Sequence, residues 1–293
     1  AGAVLAGVAL AAAAATVARG RARGLEAIYF DPAYQRDDYR GLAAAVAKEA
    51  SPQDAVILDA PTQVEVFGYY YRGGATYPLP ETRPPDRQAT EATLDDLGRR
   101  HRDYFAVLWA TGESDPDGIV EAWLNDNRHK VYDRWYGNVR LARWAAPRLP
   151  TTGTGTNLMF GPALRLAELH HGPLEAYPGD VLTLRAEWQV LAPPGGDWVV
   201  FTQLVDADGR WAAGRDMPPN GGTDATSSWA PGSRHTDRIG LLVPDETPPG
   251  HYSLVMGLYD AATGQRLPVT GDAAASMAPG DHIVVGTVQI RPR

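Results

Sequence analysis

Residues 180–206 read DVLTLRAEWQVLAPPGGDWVVFTQLVD. Within them Leu182, Leu184, Ala186, Trp188 and Val190 recur at every second position, with Thr183, Arg185, Glu187 and Gln189 between. A period of two marks a half-buried strand, one face on a core and the other in water. Pro193, Pro194, Gly195 and Gly196 break the run. A second strand rich in β-branched and aromatic residues then starts at Trp198 and ends in the turn chemistry of Asp206-Ala-Asp-Gly-Arg210.

The same grammar continues downstream. Strands are expected at 163–171, 211–216, 235–243, 251–259, 265–269 and 283–290, with Pro- and Gly-containing turns between them. About seven or eight short strands of this kind predict an antiparallel β-sandwich. Residues 149–157 (LPTTGTGTN) have no apolar period and read as a flexible linker.

Upstream of that linker, helix and strand signals alternate. Helices are predicted at 39–50, 62–72, 90–102 and 116–127, and strands at 55–58 and 104–110. Residues 131–144 give two further strands around Gly137-Asn138. The alternation predicts βαβ units: a small Rossmann-like α/β domain with a mainly parallel sheet. Residues 1–18 (AGAVLAGVALAAAAATVA) carry no charge and run into Arg19, Arg21 and Arg23. They read as the tail of a transmembrane helix whose start lies outside this sequence. The expected division is therefore a transmembrane remnant with its basic flank (1–24), an α/β domain (25–148), a linker (149–158) and the sandwich (159–293).

Composition removes several function classes. The net charge of −8 argues against a nucleic-acid partner. With no cysteine, disulfides, thiolate zinc sites and cysteine nucleophiles are ruled out. No motif calls for a cofactor or a metal. Glu113, Asp115 and Asp117 lack the spacing of a calcium loop and read as helix-start carboxylates. Ser227 and Ser228 have no nucleophile-elbow context. His170 and His171 are adjacent, so on a strand they face opposite sides and do not share a metal.

Five residues stand out as ligand-binding candidates: Asp59, Gln63, Tyr70, Trp211 and Trp229. Asp59 and Gln63 follow the first buried strand, where open α/β sheets collect ligands, and would line a polar pocket for a sugar or phosphate. The competing reading is that Asp59 and Thr62 cap the next helix. Tyr70, within Tyr69–Tyr71, offers an aromatic platform, although three consecutive helical positions diverge and at least one belongs to a core. Trp211 and Trp229 lie near loops, where an indole either stacks on a sugar ring or covers a sheet edge.

Long stretches carry a family resemblance. They are RDDYRGLAAAVAKEASPQDAVILDAPTQVEVFGYYYRG (36–73), YFAVLWATGESDPDGIVEAWL (104–124) and FGPALRLAELHHGPLEAYPGDVLTLRAEWQVLAPP (160–194), with DMPPNGGTDATSSWAPG (216–232) and HYSLVMGLYDAATGQRLPV (251–269). Together they resemble the soluble region after the last membrane helix of bacterial GT-C glycosyltransferases, the polyprenyl-phosphate-mannose-type relatives of family 39. The resemblance implies an extracytoplasmic appendage at the bilayer, belonging to an enzyme that takes sugar from a lipid phosphate carrier. It implies no catalytic residue here, because the family's catalytic loop has no counterpart in this chain. Its expected role is structural, or the holding of a glycan or lipid-linked sugar. The basic flank points the other way, since positive charge favours the cytoplasmic side. The alternative class is a membrane-anchored carbohydrate-binding or cell-surface interaction protein without enzymatic activity. A soluble glycosidase is a third possibility, which needs two carboxylates facing across a cleft.

Overall fold

The structure is a computed structural model that describes residues 37–60, 62–271 and 280–293. The apolar run at 1–18 and its basic flank lie outside the described residues. Among those described, no helix is long and apolar enough to cross a membrane.

The first half begins with α1 (Tyr39–Glu49), started by Asp38, whose carboxylate accepts from the Gly41 amide at 2.8 Å. It continues through β1 (Ala55–Leu58), α2 (Gln63–Tyr70), β2 (Thr76–Pro78), α3 (Arg87–Arg100) and β3 (Tyr104–Leu108). A single turn, α4 (Thr111–Ser114), leads to α5 (Ile119–Asn127). The hairpin β4 (His129–Tyr136) and β5 (Val139–Ala145) follows. β1 and β3 are apolar throughout because both their faces are covered. Val56, Phe105 and Val107 pack under α1 and α2. Ile57, Tyr104 and Ala106 pack under α3 and α5.

The expected mainly parallel, Rossmann-like domain does not form. The structure is 41% strand and 21% helix, and its large sheet is mixed. β1 pairs in parallel with β2 and with β3, but β3 to β5 and β5 to β4 are antiparallel. The turn at Gly137-Asn138 is the cause. Gly137 takes φ +67°, which closes a two-residue hairpin and reverses the chain.

The second half holds β6 (Thr152–Phe160), β7 (Leu164–His171), β8 (Glu175–Ala176), β9 (Val181–Val190), β10 (Trp198–Val205), β11 (Trp211–Met217), β12 (Arg234–Leu242), β13 (Gly250–Asp260), β14 (Val269–Thr270) and β15 (Ile283–Ile290). Two sheets face each other in a sandwich-like arrangement, with Leu184, Ala186 and Trp188 of β9 packed in one core with Val200 and Leu204 of β10 and Leu254 and Met256 of β13. Trp188 meets Phe160 edge to face, with centroids 5.1 Å apart. Residues 152–157 of the expected linker are the first part of β6, paired with β7 from Thr152↔His171 onward.

The two halves share one sheet. Its order is β14-β6-β7-β9-β12-β4-β5-β3-β1-β2, while β11-β10-β13-β15-β8 forms the second sheet. The seam is β12 against β4, parallel, through Ile239↔Lys130.

Candidate functional site

The path β1, α2, β2, α3, β3 places β2 and β3 on opposite sides of β1. The loops leaving β1 and β3 therefore diverge and leave a crevice at their carboxyl ends, where ligands bind in such sheets. A cavity of about 210 Å³ lies there, lined by Asp59, Thr111, Gly112, Asp115, Gly118 and Glu121 among others.

Asp59 is only 1% exposed. Its Oδ2 lies 2.5 Å from Ser114 Oγ, and its Oδ1 is buried with no hydrogen-bond partner. Burial pushes its carboxyl up to about 7, the charges of Asp115 and Glu121 push the same way, and Ser114 and Arg140 oppose them. Near neutral pH the group is therefore shared between acid and carboxylate. The helix-cap reading of Asp59 fails. Gln63 closes the start of α2 instead, its Oε1 accepting from the Ala60 amide at 3.1 Å, and Thr62 makes no side-chain cap bond. Gln63 is buried and its amide donates to the Tyr39 hydroxyl at 3.1 Å, so it holds α2 to α1 and does not line the cavity.

Asp115 caps α5, its two oxygens accepting from the Ile119 and Val120 amides at 2.9 Å each. Negative charge at a helix start is favoured there. Ala110, between β3 and α4, takes φ +50°, a left-handed conformation unusual for a residue with a Cβ. That kink lets the Ser114 hydroxyl reach back to both Asp59 and the Ala110 carbonyl.

Glu121 joins the cavity to a charged network. It receives Arg140 at 2.5 Å and Lys130 at 2.7 Å, and Lys130 also meets Asp133 at 2.9 Å. Burial opposes the ionised form of Glu121, but these cations outweigh it and hold its carboxyl below the usual range. The cavity lining itself contains three carboxyl groups and no basic side chain. Among the described residues no cluster of three or more His, Asp or Glu is arranged to hold a metal ion.

The aromatic candidates lie elsewhere. Tyr70 is exposed on α2, edge to face with Tyr69, while Tyr71 is the member that joins the core. Trp211 is 65% exposed at the start of β11. Trp229 is 3% exposed, one ring face stacked on His235 at 4.1 Å and its Nε1 donating to Asp224 at 2.7 Å. Its face is therefore unavailable for stacking on a sugar. None of the three aromatics approaches the Asp59 cavity.

A Ser233–His235–Asp224 chain also forms, with no motif to mark it in the residues. Ser233 Oγ lies 2.8 Å from His235 Nε2, and His235 Nδ1 lies 2.8 Å from Asp224 Oδ2. The distances match a hydrolase triad, but the surroundings do not. The Ser233 amide is spent on the Ala230 carbonyl and so is no oxyanion donor. Trp229 covers the imidazole. The chain fastens the 224–233 loop. A larger cavity of about 540 Å³ lies near α1 and the end of β12, and most of its charges pair: Lys48 with Asp245 at 3.1 Å, Arg134 and Arg143 with Glu49 at 2.7 and 3.1 Å.

No family model and no curated protein matches the chain. Among solved structures it is similar to the C-terminal domain of Wzt, at 14% identity and a TM-score of 0.30, over 50% of this chain and 80% of that one. It is also similar to the Pseudomonas fluorescens alkylpurine DNA glycosylase AlkC, at 15% identity and 0.26, over 47% of this chain and 31% of that one. A family 123 glycoside hydrolase from Clostridium perfringens aligns at 9% identity and 0.26, over 49% of this chain and 27% of that one. Likeness at this level assigns neither family nor function.

Proposed function

We propose that this chain is the non-catalytic, extracytoplasmic C-terminal part of a membrane glycosyltransferase fed by a lipid-phosphate-linked sugar, and that it holds a neutral sugar unit in the Asp59 cavity. The stretches at 36–73, 104–124, 160–194, 216–232 and 251–269 support the first clause by their resemblance to that family. The second is carried by the cavity itself. Its volume of about 210 Å³ falls below the range of drug-sized ligand sites and suits a single ring. Its carboxyl groups accept from hydroxyls and repel phosphate, so of the two ligands expected from sequence, sugar is favoured.

Titration of the 293-residue chain with neutral monosaccharides, followed by NMR, tests this reading. Saturable, weak binding is expected, with Asp59→Ala lowering affinity by roughly tenfold or more. Absence of saturable binding to any neutral sugar would sink the sugar site. Sugar transfer from a polyprenyl-phosphate donor by the chain alone would overturn the non-catalytic reading.

A further inference from the structure

The face of the large sheet that turns away from the sandwich core carries a row of cationic and imidazole side chains. On β9 the core takes Leu184 and Ala186, so Arg185 between them faces outward. Register places His170 of β7 directly opposite Arg185, and Arg185 directly opposite Arg238 of β12. At the seam Ile239 pairs with Lys130, which sets His129 of β4 beside Arg238. The row His170, Arg185, Arg238, His129 thus crosses four neighbouring strands and lines one cavity of about 330 Å³, with His171 and Thr183.

Two like charges directly opposite across an antiparallel pair destabilise a sheet. Here they are compensated only at a distance: Asp126, Glu187 and Asp237 attract Arg238 without forming an ion pair with it. Arg185 reaches Glu187 only through Nε, at 3.4 Å. Among the described residues no carboxylate lies within ion-pair distance of Arg238, and its guanidinium makes no hydrogen bond. His129 is 6% exposed and its Nδ1 is buried without a partner. Burial, then the positive charge of Arg238, push its imidazole down to about 3, so it stays neutral and adds no further repulsion.

We infer that this cavity binds an oxyanion group, phosphate or carboxylate, between Arg185 and Arg238. Guanidinium forks match such groups bidentately, and a bound anion removes the repulsion between the pair. His170 is partly engaged by Glu168 at 3.0 Å, which leaves the two arginines as the main holders. The site is separate from the Asp59 cavity and has the opposite charge character, so it stands whether or not that cavity takes sugar.

The experiment uses the whole chain, titrated by NMR with inorganic phosphate, glucuronate and glucose while the imidazole signals of His129 and His170 are followed. Phosphate, glucuronate or both should give saturable shifts that weaken as sodium chloride rises, and glucose should give none at these signals. The anion that binds identifies whether the natural ligand carries phosphate or carboxylate. Arg238→Gln should weaken binding roughly tenfold or more. Its melting temperature without ligand should stay close to that of the parent, so that a loss of binding is not a loss of fold. Arg185→Gln is the second variant, and Asp59→Asn should leave oxyanion binding unchanged. Saturation by neither anion, or equal affinity in the parent, Arg238→Gln and Arg185→Gln, overturns the inference.

Discussion

Lys130 Nζ donates to the Gly221 carbonyl at 2.9 Å, joining two points 91 residues apart. Lys130 belongs to β4 in the first half and Gly221 to a turn of the second. Gly221 has φ +66°, and a Cβ there would run into Asn125 Oδ1 and Lys130 Cδ, so a close backbone approach is built into the contact. The same turn donates nothing to Asn125 but receives its amide on Thr223 Oγ1 at 3.2 Å.

Because Lys130 is 1% exposed between the partly buried Glu121 and Asp133, its removal leaves a buried polar network with Arg140 as its remaining cation. Lys130→Met is expected to destabilise the chain by about 3–5 kcal/mol. Urea unfolding followed by tryptophan fluorescence and by far-UV circular dichroism should give one coincident transition in the parent. Two separated transitions in the parent would mean that the seam does not couple the halves.

Stability should also report the buried carboxyl at the cavity. In the unfolded chain Asp59 ionises near its ordinary value of 3.8, while in the fold it holds its proton to about 7. Between those values the folded state binds the extra proton, so stability falls as pH rises from about 4 to 7 and then levels off. Asp237, fully buried and pushed up to about 6 by burial, acts with the same sign. Asp59→Asn should remove its share of that slope, up to roughly 4 kcal/mol at pH 7 and little at pH 4. Chemical denaturation at the two pH values measures it. An unchanged slope would return Asp59 to the ordinary carboxylate range.

Ala110 pays for its left-handed backbone with steric strain between Cβ and its own carbonyl. Ala110→Gly should relieve it, offset by the larger entropy of glycine in the unfolded chain, for a net gain of about 0.5–1 kcal/mol. A rise in the denaturation midpoint with an unchanged slope is the expected reading. A fall would show that the Ala110 methyl contributes packing that outweighs the strain.

The Ser233–His235–Asp224 chain should be chemically silent. A fluorophosphonate probe, read by intact mass, is expected to leave Ser233 unmodified, since the Gly232 and Ser233 amides are spent on the Val190 and Ala230 carbonyls. Trp229→Ala, in contrast, should cost about 3–5 kcal/mol as a large buried side chain, while Trp211→Ala should stay within roughly 0.5 kcal/mol. Rapid covalent labelling of Ser233 would reopen the question of catalysis.

Much of the local structure was legible in the residues. β9 and β10 announce themselves by period and composition, and α1, α2 and β3 fall where the apolar spacing puts them. β6 was not legible, because TTGTGTN holds no apolar alternation. Its strand state comes from pairing with β7, a tertiary cause. The mixed sheet has a related reason: helix–strand alternation suggests parallel pairing, but one glycine turn makes β4 and β5 a hairpin that enters antiparallel beside β3. At the site, Asp59 could be read as the end of a strand. Its partner Ser114, 55 residues on, could not, since only the adjacency of β1 and β3 brings them together. The Arg185 and Arg238 pair depends on register between β9 and β12, which no single stretch encodes.

The strand order has a further consequence, for self-association. An open sheet edge is a template for another chain, and long flat edges invite aggregation. The ten-stranded sheet ends in β14, two residues long, and in β2, three residues long and closed by Pro78. The second sheet ends in β8, also of two residues. Among the described residues β11 is the longest of the four end strands, seven residues bearing Arg215 and Asp216, with Trp211 standing out at its start, while β14 and β8 each pair with only two residues of the strand behind them. Two copies that stick together edge to edge have that strand to do it with, and a lysine at Trp211 is the substitution that should keep them apart.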